Sequence, residues 1–247
     1  MAKRKRIRWD RVLIVILLGL IVYLTGVITS NLIEEKTEEI VNIQIPISEF
    51  SSAKSSIFIA AVSNTGEGVL SKANVEIREG EGRILVNTNP FIEPDTQFSL
   101  ETSRNVAQEF TGIDLSKKDV IYSFSETRAS LVGGPSAGAA FAVATIAAIQ
   151  NKNIKSNSSI TGAITNSGVI APIGDVFEKL NAAIEQGVTL FLIPKGQGEA
   201  IYYTKEKIGG KTRLIAHKFS LNGYASQFGV EVKEVSTIDE AVGLLVK

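Results

Sequence analysis

Gly133-Gly134-Pro135-Ser136-Ala137-Gly138 runs directly into AAFAVATIAAIQ, residues 139–150. The second stretch reads as an Ala-rich helix over residues 136–150. The first reads as the loop that delivers the chain to it. Glycine allows a tight backbone approach, and proline suits a first helical turn. A serine at this mouth sits where unpaired backbone N–H groups point outward and the helix dipole is positive. That setting suits an exposed nucleophile beside an oxyanion hole. It equally suits an ordinary N-cap, a position that serine often fills.

Around this segment the chain alternates short apolar runs with helical patterns. Residues 57–62, 75–77, 83–86, 120–124, 188–193 and 230–235 read as strands. Residues 96–110 have helical spacing, with Phe98, Val106 and Phe110 among polar neighbours. Residues 160–165 and 169–173 read as a strand pair around Asn166-Ser167-Gly168, and residues 238–246 close the chain as a helix. Residues 199–207 are assigned to a helix. The expected fold is mixed α/β (α+β), one domain over residues 55–247.

The helix over residues 175–186, with an Asp175 cap and a Gly187 stop, breaks one local rule. Val176, Leu180, Ala183 and Ile184 fall at i, i+4, i+7 and i+8, an inward stripe, and Lys179 lies at i+3 on that same stripe. A buried cation is costly, and burial lowers a lysine pKa. A neutral lysine amine is a competent general base. The alternative is a lysine at the stripe's edge that extends its ammonium to water.

The GPSAG stretch and a lysine 43 positions later, set in Thr161-Gly162-Ala163-Ile164-Thr165 and Pro172-Ile173-Gly174-Asp175-Val176-Phe177-Glu178-Lys179-Leu180-Asn181-Ala182-Ala183, together resemble the proteolytic domain of Lon peptidases. Gly187 and Leu192-Ile193-Pro194 fit the same pattern. The resemblance is dense from residue 133 to 194 and extends over about residues 55–247 at fold level. It implies a Lon-like serine endopeptidase with a Ser136–Lys179 dyad. It further implies that the Thr161 hydroxyl lies near the lysine, and that backbone N–H groups around Gly134 and Ser136 hold the oxyanion. A hexameric ring is a further implication. The sequence departs from the Lon pattern at Gly133, where bacterial Lon carries an acid, and at Ala163, where an acid usually follows Thr-Gly.

Composition narrows the chemistry. The 247 residues contain no cysteine and one histidine, His217, which excludes a cysteine nucleophile, a Cys-based zinc site and any site needing two imidazoles. No cofactor or metal is expected. A Ser-His-Asp hydrolase would have to use His217, and no G-x-S-x-G elbow is present. Gly210-Lys211-Thr212 looks like the end of a phosphate loop, but the earlier glycine position is occupied by Lys205, so no nucleotide site is expected.

The net charge of +0 conceals an asymmetry. Residues 1–11 hold six Lys/Arg and one Asp, and the remainder is mildly acidic, which leaves no electrostatic case for nucleic acid. The 22 residues from 12 to 33 carry no charge, and about 20 suffice to cross the hydrocarbon core. With Glu34, Glu35, Glu38 and Glu39 following, the positive-inside rule places the basic tail in the cytoplasm, a membrane anchor at 12–33, a stalk at 34–54 and the domain outside. A cleaved secretory signal is the alternative, and it would release the domain. The expected partners are polypeptide substrates and the lipid bilayer, and the resemblance to Lon implies further copies of the chain. The expected activity is ATP-independent cleavage of exposed or unfolded polypeptide. The non-enzymatic alternative is a catalytically silent, membrane-tethered binding or assembly module on the same fold.

Overall fold

A computed structural model describes residues 17–25, 52–63, 66–87, 89–125, 131–208 and 211–247. The chain divides into two units, Met1–Ile47 and Ser48–Lys247. In the first, residues 17–25 are helical with exposed side chains. The rest of the expected 12–33 anchor, the basic tail and residues 34–51 of the stalk lie outside the described residues. Among the described residues no helix is long and apolar enough to cross a membrane.

The second unit is built on strands β1 (Ala53–Val62), β2 (Gly68–Glu79), β3 (Ile84–Val86), β4 (Phe91–Ile92), β5 (Lys118–Ser125), β6 (Leu131–Val132), β7 (Ser158–Ile160), β8 (Ala163–Ile164), β9 (Ile170–Ala171), β10 (Leu190–Pro194), β11 (Glu199–Ile208), β12 (Lys211–Ser220) and β13 (Glu231–Val235). Its helices are α1 (Pro94–Thr111), α2 (Gly138–Ile149), α3 (Val176–Glu185), α4 (Leu221–Ala225) and α5 (Ile238–Leu245). Seven strands form one mixed sheet in the order β13-β10-β7-β1-β2-β5-β3. The β13-β10-β7-β1 half is parallel, whereas β2 runs antiparallel to both β1 and β5.

Period-two alternation along the strands divides the core into two layers. Ile57 and Ile59 of β1 and Leu192 of β10 join a cluster with α1, α2 and α5. Ala60 of β1 and Phe191 and Ile193 of β10 join another with α3, α4, Val188 and Val232. Helix α2 sits inside the first layer and is buried from Gly138 to Ala148, which is why alanine dominates it. A Cβ on Gly138 would run into Ser99 Oγ of α1 and Ile164 Cγ2 of β8. Phe141 of α2 meets Tyr122 and Phe124 of β5 edge-on, with centroids 5.1 and 5.4 Å away. Burial pushes the Tyr122 hydroxyl pKa well up, although that hydroxyl is bonded to Thr145 Oγ1 at 3.1 Å.

Three expectations are corrected. Residues 199–207 form β11, a strand, because ten cross-strand positions pair it with β12, and Ile201, Tyr202, Tyr203 and Thr204 suit a pleated ribbon. Phe98 belongs to the outer face of α1 at 68% exposed, while the buried stripe is Thr96, Ser99, Leu100, Ser103, Val106 and Ala107. The expected pair over 160–165 and 169–173 splits. Its first residues belong to β7 of the main sheet, and only β8 and β9 pair with each other, around Gly168 at φ 73°.

Candidate active site

Ser136 lies in a 3₁₀ turn, Pro135–Ala137, immediately before α2. The N-cap of α2 is Ala137, so the serine is not spent as the cap of that helix. Gly134 takes φ 87° and ψ 150°, a backbone region open essentially to glycine alone. Helix α1 holds this loop along one polar edge. Asp95 accepts the Gly134 N–H at 3.1 and 3.2 Å, and Thr96 Oγ1 donates to the Gly134 carbonyl at 3.1 Å. Ser99 Oγ donates to the Pro135 carbonyl at 3.3 Å, and Ser103 Oγ to the Gly138 carbonyl at 2.9 Å. The Gly134 N–H assigned to an oxyanion from the sequence is therefore engaged by Asp95 in this structure. A side chain at Gly133 would overlap the Glu93 carboxylate, so an acid reaches this spot from the β4–α1 connection.

On its other side the loop is tied to the segment after β7. The Ser136 carbonyl accepts the Gly162 N–H at 2.8 Å and the Thr161 hydroxyl at 3.3 Å. Thr161 is buried, and its own N–H donates to the Leu192 carbonyl of β10. Ser136 and Thr161 are thus brought together directly, at the carboxyl ends of the parallel strands, where open α/β sheets place their ligands.

Helix α3, which carries Lys179, belongs to the other layer. Helix α3 packs on β1 and β2, and the turn containing Ser136 also packs on β1. Gly68, paired with Val62 at the end of β1, has no room for a Cβ because the Glu178 carbonyl lies there. Lys179 is only 5% exposed. Its Nζ donates to the Gly174 carbonyl at 2.9 Å, and its N–H donates to the Asp175 carbonyl at 3.1 Å. The side chain folds back over the N-terminal turn of its own helix, as helix geometry directs. Asp175 starts that helix in the left-handed region at φ 57°, without a side-chain capping bond. Ser136 and Lys179 share no hydrogen bond among the described residues; the amine is bonded to Gly174.

The environment disfavours the charged amine. Burial is the main influence lowering the Lys179 pKa, opposed by attraction to Asp175 and Glu178. The positive end of the α3 dipole acts in the same direction as burial. His217 lies elsewhere, stacked on Tyr202 in the β11–β12 ribbon and bonded to Thr204 at 2.8 Å. Lys211 and Thr212 open strand β12, which is not the loop-to-helix setting of a phosphate loop. Among the described residues no three His, Cys, Asp or Glu side chains are grouped to hold a metal.

Sequence reading missed Asp95, Thr96, Ser99 and Ser103. A signal for the last three was available: three hydroxyl residues at helical spacing along a helix otherwise lined by Leu100, Val106 and Ala107.

Residues 99–218 match the Lon protease (S16) C-terminal proteolytic domain. The chain is 32% identical over 160 residues to a Lon protease of Elusimicrobium minutum, covering 64% of this chain and 19% of that protein. It is 28% identical over 127 residues to an archaeal Lon protease of Thermococcus kodakarensis, 51% of this chain and 20% of the relative. A Lon protease of Buchnera aphidicola is 42% identical over 81 residues, 33% of this chain and 10% of the relative. The first two matches span about a fifth of the length of those relatives.

Proposed function

We propose that this chain is a serine endopeptidase in which Ser136 is the nucleophile and Lys179 the general base. The observation that carries this reading is a buried lysine, lowered in pKa by burial, on a helix packed against β1, the strand against which the turn containing Ser136 also packs. A lysine kept for solubility would extend its ammonium to water. Likeness to the Lon proteolytic domain supports the same assignment.

In the proposed reaction, Ser136 Oγ attacks a peptide carbonyl while the neutral Lys179 amine takes its proton. The carbonyl oxygen becomes an oxyanion held by backbone N–H groups at the start of α2. The resulting ammonium passes the proton to the departing amine as the C–N bond breaks, leaving an ester on Ser136. The again neutral lysine then activates a water molecule that hydrolyses the ester. For this cycle Lys179 must exchange its bond to the Gly174 carbonyl for one to Ser136 Oγ. The Gly134 N–H joins the oxyanion hole only when Asp95 releases it; otherwise the Ser136 N–H serves without it. Thr161 acts as a positioning residue, through its bond to the Ser136 carbonyl.

The proposed substrate is exposed or unfolded polypeptide, and its cleavage is proposed to proceed without nucleotide. Residues 12–33 are proposed as a membrane anchor, which sets the domain outside the cytoplasm.

Fluorophosphonate labelling tests the assignment. The full chain in detergent should label at Ser136, and Ser136→Ala should not label while keeping its near-ultraviolet circular dichroism. Labelling that survives Ser136→Ala would refute the nucleophile. Absence of labelling and of casein cleavage in the folded wild type would leave the silent-module reading in its place.

A further inference from the structure

The β11–β12 ribbon has two faces of different character. The inner face is used by the chain itself: Ala200 and Phe219 pack with Phe177 and Tyr224 at the base, and Tyr202 stacks on His217 further out. The outer face begins at the base with Glu199 and Lys218, which form an ion pair at 3.5 Å and offset each other. Beyond that pair, by alternation, the outer face carries no carboxylate. Ile201, Tyr203, Leu214 and Ala216 form an apolar band, and Lys205 and Lys207 lie towards the tip. Ile201, Tyr203 and Leu214 are 52%, 63% and 64% exposed. Residues 205–214 hold Lys205, Lys207, Lys211 and Arg213 against Glu206 alone, and Glu206 stands opposite Arg213 in the ladder.

We infer that the outer face of the β11–β12 ribbon docks on a bilayer surface that carries anionic headgroups. Apolar side chains and tyrosine rings suit the boundary between headgroups and acyl chains, and lysines beside them reach back to the phosphates. Charge complementarity selects an anionic surface over a neutral one. It also sets the orientation, because the other residues of the 48–247 unit hold fourteen Lys/Arg against nineteen Asp/Glu and are repelled where the ribbon tip is attracted. The chain brings a bilayer within reach if residues 12–33 anchor it, since the peptide from Ile33 to Ala53 spans at most about 70 Å fully extended. The ribbon contact is a second, electrostatic attachment that is separate from the anchor. It does not depend on the peptidase reading, because its readout is the depth of a side chain in lipid.

The experiment is site-directed spin labelling of the full chain, which has no cysteine of its own to compete for the label. Leu214→Cys carries a nitroxide on the outer face, and Asn105→Cys carries one on an exposed position of α1 as the aqueous control. Each chain is reconstituted with vesicles of phosphatidylcholine, or of an equimolar mixture with phosphatidylglycerol. Collision rates with oxygen, which concentrates in lipid, and with a water-soluble nickel chelate are then compared. With phosphatidylglycerol the label at 214 should shift towards oxygen and away from nickel, while the label at 105 stays aqueous. The shift should be lost in phosphatidylcholine alone and at about 0.5 M NaCl, where screening is short-ranged. Lys205→Glu/Lys207→Glu/Lys211→Glu should abolish it, and Ile201→Ser/Tyr203→Ser should reduce it without added salt. Flotation with phosphatidylcholine alone reports residues 12–33, so failure of the anchor and failure of the ribbon are read separately.

A label at 214 that stays aqueous in every vesicle would overturn the inference, as would a shift that survives reversal of the three lysines or is equal in phosphatidylcholine. A label shielded from oxygen and nickel alike would show the face covered by protein, and the inference would fail.

Discussion

In the loop before α2, four side chains of α1 take up the backbone of Gly134, Pro135 and Gly138, and the segment after β7 takes up the carbonyl of Ser136. Along β11–β12 the ladder satisfies the backbone, and the outward side chains stand exposed. The loop keeps an unusual φ at Gly134 because its neighbours over-determine it. The ribbon has ordinary strand geometry and needs no such support. The difference separates residues that act by being held from residues free to meet a partner, and substitutions in the two regions should behave oppositely.

The largest contrast is expected at Lys179. Lys179→Met retains the buried volume and removes the amine. Peptide hydrolysis should fall by about 10²–10⁴-fold, the range for loss of a general base, while the melting temperature stays equal or rises because a buried polar amine has been replaced by an apolar side chain. A large fall in melting temperature together with activity would make the lysine structural. Next comes Gly138→Ala, which forces a methyl against Ser99 and Ile164. Overpacking of this kind costs about 1–3 kcal/mol, to be read from urea unfolding. A neutral result would show that α1 can move away from the serine loop.

Asp119 gives a smaller, pH-dependent effect on the far side of the sheet. Bonds from the Arg83 side chain, then from the Arg83 and Glu81 N–H groups, hold its pKa down at about 2. The folded pKa lies below the unfolded value of about 3.9. The stabilisation is therefore fully present above about pH 4 and is lost as pH falls towards about 2. The melting-temperature gap between wild type and Asp119→Asn should narrow over that window; a constant gap would contradict the pairing. The smallest effect belongs to the ribbon: Tyr203→Ser should change the unfolding free energy of the single copy by no more than about 0.5 kcal/mol. A large loss would mean that the outer face is covered by the chain itself.

How far these regions could be read from sequence follows from the range of the forces involved. The serine loop was legible because Gly-Gly-Pro-Ser-Ala-Gly constrains its own backbone, and Lys179 because one cation interrupts an apolar stripe spaced at helical period. Both signals are local. Residues 199–207 were misread as a helix because their state depends on pairing with residues 211–220, and Ile201 and Tyr202 fit either period until the partner strand is known. Phe98 misled for a related reason: a large apolar side chain suggested the inner face, whereas Thr96, Ser99 and Ser103 turn inward to serve the serine loop. Asp95 could not be assigned at all, since its partner is 39 residues away along the chain.

The central claim is that an uncharged Lys179 amine activates Ser136, and the pH dependence of fluorophosphonate labelling at Ser136 tests it most directly. The rate should rise with pH along a single titration whose midpoint lies below the ordinary lysine value of about 10.4, because only the deprotonated amine can accept the serine proton. That titration should vanish in Lys179→Met. A rate independent of pH, a midpoint at the ordinary lysine value, or the same titration surviving in Lys179→Met would contradict the account.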